Sequence, residues 1–183
     1  DSRPFKTATG KDITISGGIY GWLIDKKKEA EALVDVVKAG KNVTREPIYI
    51  QKAVSRNKDD IGNTYVEISL SGQHMWFFKN GEMLVSTDVV TGDLARGFAT
   101  PSGIYPLNYK ARNVSLTGQG YSSPVSYWLP FNGNIGIHDA TWRNSFGGSI
   151  YKSSGSHGCV NTPFSKAKKI YENIEPGTPI ILY

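Results

Sequence analysis

Between Asp25 and Ala39 the chain reads DKKKEAEALVDVVKA, with Ala30, Leu33, Val34 and Val37 recurring at i, i+3, i+4 and i+7. That period predicts an amphipathic helix, entered through Asp25 as its N-cap and closed by Gly40 just beyond its end. Short apolar runs flank it, GGIYGWLI (17–24) and EPIYI (46–50), and both read as strands. SRNKDDIGN (55–63) carries charge without periodicity and reads as a linker. From Tyr65 the period changes to two. In YVEISLS (65–71), Val66, Ile68 and Leu70 alternate with Tyr65, Glu67 and Ser69, the pattern of a strand with one buried face.

MWFF (75–78) and MLVSTDVVTG (83–92) bracket Asn80-Gly81, which predicts a hairpin with a type I′ turn. GIYPL (103–107), VSYWLPF (125–131), NIGIH (134–138) and PIILY (179–183) supply further strands between Gly, Pro, Ser and Asn turns. A second helix is expected from Thr162 as N-cap and Pro163 as its first residue, with Phe164, Ala167, Ile170, Tyr171 and Ile174 along one face. The chain therefore reads as a mainly β domain over residues 57–183 with one or two helices. A small α+β piece over 1–56 precedes it, too short to hold much core and read as a truncated domain.

Composition changes this picture little. With 183 residues, 39% apolar and 20% charged, the chain has the make-up of a soluble globular protein. No apolar run reaches the roughly 20 residues that span a bilayer. The chain opens on Asp1 rather than Met, so a processed product or excised piece is expected, with any leader or membrane anchor upstream. The net charge of +5 fits a solvated surface or an anionic surrounding such as a bacterial wall. Its Lys and Arg residues are scattered without interleaved aromatics, which speaks against nucleic acid.

Candidate chemistry centres on SGSHGCVNT (154–162), which holds Cys159, the only cysteine. No internal disulfide is possible, and three readings remain: a packing thiol, a metal ligand or a nucleophile. A Gly/Ser-rich polar loop is a poor place for core packing. His157 and Cys159, one residue apart, do not match the spacing of ordinary zinc sites, even with His138 as a third ligand. A nucleophile needs a base to deprotonate it and donors for the oxyanion. Gly158 leaves room for a carbonyl, the amides of His157, Gly158 and Cys159 are candidates for an oxyanion hole, and the helix expected at Pro163 adds a modest dipole. His138, at the end of NIGIH on the face opposite Ile135 and Ile137, is the favoured base, with His157 supporting it. The Asp139 side chain points away from His138 in a strand, leaving its carbonyl as the group within reach. His74 reads as a surface or half-buried strand residue.

IGIHDATW followed after a short interval by SHGC resembles the signature of the L,D-transpeptidases, the YkuD-type catalytic domain. YVEISLSGQHMWFFKNG resembles that family's opening hairpin, and VVTG…TPSGIYPL its glycine-rich middle strands. The resemblance spans about residues 61–183. GGIYGWLIDKKKEAEAL resembles the end of the peptidoglycan-binding domain that precedes it in Gram-positive, enterococcal members. It implies a β-sandwich-like fold, an extracytoplasmic place at the cell wall, and cross-linking of peptidoglycan stem peptides without a metal or organic cofactor. It further implies Cys159 as nucleophile, His138 as general base and acid, and Ser156, His157 and Gly158 as the residues shaping the site. Acylation by carbapenems is implied too. The chain departs from many members at Asp139, where Gly is common, and at Asn161, where Arg is common. Asn161 and Trp142 are candidate substrate contacts, Trp142 as a lid residue. A monomer is expected. Two other classes stay in view: a cysteine wall peptidase, in which water takes the acyl group, and a non-catalytic wall-binding module.

Overall fold

The computed structural model describes residues 2–118 and 120–183. The N-terminal part pairs β1 (Ser2–Lys6) with β2 (Asp12–Ser16), and β3 (Leu23–Ile24) with β4 (Tyr49–Gln51), around helix α1 (Lys26–Ala39). Asp25 caps α1 by accepting the Lys28 amide, and Gly40 closes it at φ +61° in the left-handed region. The helix forms as its period predicts, yet Leu33, Val34 and Val37 stay exposed and none of its residues is buried.

Two sheets build the rest. Five strands run in the order β7 (Glu82–Asp88), β6 (His74–Lys79), β5 (Tyr65–Ser69), β13 (Pro179–Leu182) and β8 (Gly103–Pro106). Four run in the order β12 (Val160–Thr162), β11 (Ile135–Asp139), β10 (Tyr121–Asn132) and β9 (Ala111–Gly118). Val66, Ile68, Met75 and Phe77 of the first meet Leu129, Phe131, Ile137 and Val160 of the second in one core, joined by Ile170 of α2 (Phe164–Asn173). The fold is thus mainly β with two helices. The Asn80-Gly81 turn has φ +52° and +80°, as a type I′ hairpin requires.

Four expectations are corrected. β5 is buried on both faces, Glu67 included, because the N-terminal part covers its outer side. Ile15, Tyr20, Ala53 and Ile61 pack with Ile104 and Ile181 in a second core, so that part shares a core with the sheet. Residues 55–63 are not a free linker: Asp60 accepts two hydrogen bonds from Arg3, both 2.8 Å, and Ser55 accepts one from the Trp22 indole at 3.1 Å. Thr162 lies in β12 and donates to the Val160 carbonyl, leaving Pro163 as the α2 N-cap without side-chain capping. β9 had no apolar signature to announce it, since it is a mostly exposed edge strand with polar residues over much of its length.

Candidate active site

β11 and β12 run parallel, with Ile137 opposite Val160, His138 opposite Asn161 and Asp139 opposite Thr162. Paired side chains share a face and alternate along each strand. Ile137 and Val160 enter the core, which turns His138 and Asn161 the other way. Cys159 lies two residues before Asn161 and joins that face. The three residues line one cavity of about 480 Å³, with His157, Ser156, Trp142 and Arg143 also at its wall. Gly136, between Ile135 and Ile137, keeps the face open. A Cβ there would come within 2.6 Å of the Leu129 carbonyl and 2.7 Å of the Trp128 ring.

The Cys159 thiol donates to the Asn134 carbonyl at 3.4 Å. Burial pushes its pKa up to about 11, outweighing the lowering from the Gly136 backbone. The expected helix dipole does not reach it, because α2 begins five residues on, beyond a strand rising about 3.3 Å per residue. His138 is almost fully buried, and its Nδ1 lies 2.8 Å from the Asp139 carbonyl oxygen. A carbonyl only accepts, so Nδ1 carries the hydrogen and Nε2 keeps the basic lone pair. Burial lowers the His138 pKa. The Asp139 carbonyl and charge oppose this, and the Arg143 charge adds to it. The Asp139 carboxylate turns elsewhere and accepts the amides of Ser126 and Tyr127 at 2.9 and 2.8 Å.

The loop before Cys159 is held from within and from outside. Ser156 Oγ donates to the Cys159 carbonyl and accepts the Gly158 amide at 3.1 Å. The expected trio of oxyanion donors therefore loses Gly158, whose amide is taken. The amides of His157 and Cys159 donate to no protein acceptor among the described residues. Gly158 sits at φ +123°, where a Cβ is disfavoured, and its carbonyl accepts the Thr100 hydroxyl at 2.7 Å. Asp93, also buried, accepts the Gly155 amide at 3.1 Å and the Arg96 amide at 3.0 Å. Its own amide donates to the Ser156 carbonyl at 2.9 Å.

His157 is exposed. Its ring stacks on Tyr121 at 4.3 Å and 14°, packs against Phe98 at 4.8 Å, and places Nε2 3.4 Å from Arg96 Nη2. Trp142 is half exposed, its ring 5.8 Å from that of His138. Sequence reasoning missed Asp93, Arg96, Phe98, Tyr121 and Arg143. Only Asp93 left a trace, since Gly92-Asp93 follows a strand-like run and Gly and Asp are turn residues. His74 is half-buried and joins Asp88 at 2.6 Å and Ser86 at 2.8 Å. That resembles a triad in connectivity, but none of the three lines the cavity, and a hydrolytic site needs both a cavity and oxyanion donors.

Residues 63–182 match the model of the YkuD L,D-transpeptidase catalytic domain. The chain belongs to that family. An Enterococcus faecium L,D-transpeptidase with a cysteine-to-serine substitution is 36% identical at a TM-score of 0.80, over 100% of this chain and 74% of that one. The catalytic domain of an E. faecium L,D-transpeptidase acylated by ertapenem is 39% identical at a TM-score of 0.60, over 67% of this chain and 98% of that one. A Mycobacterium tuberculosis L,D-transpeptidase, 20% identical at a TM-score of 0.58 over 66% of this chain and 57% of that one, shares the fold. No curated protein matches. As an L,D-transpeptidase the chain is an enzyme of the cysteine acyltransferase class.

Proposed function

We propose that this L,D-transpeptidase domain joins peptidoglycan stem peptides through an acyl group carried on Cys159. The observation that carries the reading is the shared face of β11 and β12, which brings the only cysteine and His138 into one cavity. With the thiol pKa near 11 and that of His138 lowered, both groups rest uncharged at neutral pH. His138 Nε2 therefore takes the thiol proton as Sγ attacks the carbonyl carbon of the L-centred third residue of a donor tetrapeptide. The oxyanion is received by the free amides of His157 and Cys159. His138 returns the proton to the departing D-Ala nitrogen, the C–N bond breaks, and a thioester remains.

An acceptor amine then gives a proton to His138 as its nitrogen attacks the thioester. The C–S bond breaks, the sulfur regains its proton, and a 3→3 cross-link leaves. The Asp139 carbonyl holds the His138 tautomer, and Ser156 braces the loop. Asn161 and Trp142 border the peptide. The work is extracytoplasmic, where peptidoglycan lies. The acylated relative supports carbapenems as inhibitors of Cys159.

The test supplies a tetrapeptide stem with and without an amine acceptor and follows the products by mass spectrometry. Cross-linked dimer with acceptor present is expected. Tripeptide alone in both cases would make the enzyme a hydrolase. A carbapenem adduct that persists in Cys159→Ala would remove the nucleophile assignment.

A further inference from the structure

Arg143 stands in the cleft with no hydrogen-bond partner for its side chain among the described residues. Its backbone amide closes a turn onto the Ala140 carbonyl at 3.2 Å, and its side chain lines the cavity holding Cys159 and His138. The guanidinium nitrogen Nε is buried and has no hydrogen-bond partner among the described residues. Among the described residues no carboxylate lies within 4.0 Å of the group, whereas Arg3 and Arg45 each hold one. Asp93 acts on it only through its charge, and the two Asp93 oxygens accept the amides of Arg96 and Gly155 instead. A guanidinium stays charged and offers five donors in a planar fork that fits a carboxylate. A buried donor of that kind left unpaired is costly and calls for a partner from outside.

The same cavity has a second open polar atom. Asn161 is buried, and its Oδ1 has no donor among the described residues. The cleft therefore lacks one anion and one N–H. A peptide ending in a free carboxylate supplies both.

We propose that Arg143 reads the free C-terminal carboxylate of the residue that departs from the donor peptide. This rests on the acyl-transfer reading above and adds to it a determinant of donor choice. The departing nitrogen must meet His138 to be protonated, and within one residue the carboxylate lies about 3 Å from that nitrogen. A group that binds the carboxylate must therefore neighbour His138, and Arg143 lines the same cavity as His138. Arg143 is thus a substrate-binding residue for the acylation half of the reaction. The acceptor half, which begins after the D-residue has gone, does not use it.

The experiment compares one tetrapeptide donor as its C-terminal acid and as its C-terminal amide, with wild type, Arg143→Gln and Arg143→Lys, at saturating acceptor. Wild type is expected to favour the acid by about 10- to 100-fold in kcat/KM, the range of a charge-assisted hydrogen bond. In Arg143→Gln the acid-to-amide ratio falls close to one. In Arg143→Lys, which keeps the charge without the fork, it recovers in part. The ratio is internal to each variant, so partial misfolding lowers both rates and leaves it unmoved. A wild-type ratio near one, or an unchanged ratio in Arg143→Gln, overturns the inference and leaves Arg143 as a counter-charge to Asp93. Turnover of neither donor by wild type overturns the acyl-transfer reading, and this inference with it.

Discussion

His138 gives its Nδ1 hydrogen to the carbonyl oxygen of Asp139, 2.8 Å away, and not to a carboxylate. The carbonyl fixes the tautomer as an acid would, but it brings no full negative charge to stabilise an imidazolium. Burial then lowers the His138 pKa while raising that of the Cys159 thiol to about 11.

The resting pair is therefore neutral, and in the proposed mechanism proton transfer accompanies attack. At pH 7 a thiol of pKa about 11 is ionised in only about 10⁻⁴ of molecules. Since the base is lost only when His138 is protonated, below its ordinary 6.5, kcat/KM for acylation is expected to stay level from pH 8 to below 6.5. His138→Ala loses about 10²- to 10⁴-fold at pH 7, and its residual rate climbs with pH as the thiolate forms unaided. Thiolate absorbance near 240 nm at pH 7 in the wild type would show a preformed ion pair instead.

The Asp139 side chain serves β10 rather than the ring. Asp139→Asn keeps the Oδ1 acceptor for the Ser126 and Tyr127 amides, so stability and turnover should remain near wild type. Asp139→Ala strands both amides and is expected to cost about 2–6 kcal/mol in urea unfolding, at about 1–3 kcal/mol per unpaired group. A tenfold loss of kcat in Asp139→Asn without loss of stability would return the carboxylate to the proton path.

The sequence made His138 and Cys159 legible because strand alternation and a polar glycine loop act over a few residues. The Asn-Gly turn and the Asp25 cap were legible for the same reason. Gly158 shows where such reasoning ends: its amide is consumed by Ser156 Oγ, a choice set by loop dihedrals. Asp93, Tyr121 and Arg143 lie 66, 38 and 16 residues from Cys159 along the chain, and only the packing of separate loops brings them to the cleft. The burial of Glu67 was equally hidden, because β5 carries a one-sided pattern while the N-terminal part covers its polar side.

Ser156 ties together the loop before Cys159, donating to the Cys159 carbonyl while accepting the Gly158 amide. Ser156→Ala leaves both unpaired, so the loop amides proposed to receive the oxyanion lose their fixed direction. Carbapenem acylation, followed by mass spectrometry, is expected to slow about tenfold or more, since misaligned oxyanion donors are costly. The fall in stability should stay near 1–2 kcal/mol. An unaltered acylation rate would mean that Gly158 and Thr100 hold the loop without Ser156.

Glu67 ties three distant segments together. Its carboxylate accepts the Ala8 amide through both oxygens, at 2.9 and 3.0 Å, and the Tyr183 hydroxyl at 2.6 Å. Burial nonetheless dominates and raises its pKa above the usual 4.5, with the Tyr183 and Ala8 hydrogen bonds opposing. The folded state therefore holds the Glu67 proton more tightly than the unfolded chain. By linkage, its contribution is fully present below pH 4.5 and declines as the pH rises through the folded-state pKa. Glu67→Gln keeps an acceptor and cannot ionise. The Tm difference, variant minus wild type, is therefore expected to shift in favour of Glu67→Gln from pH 4 to pH 7, whatever its value at pH 4. A difference that stays constant, or moves toward wild type, would mean that the Ala8 and Tyr183 hydrogen bonds outweigh burial and that the carboxylate is the form the fold prefers.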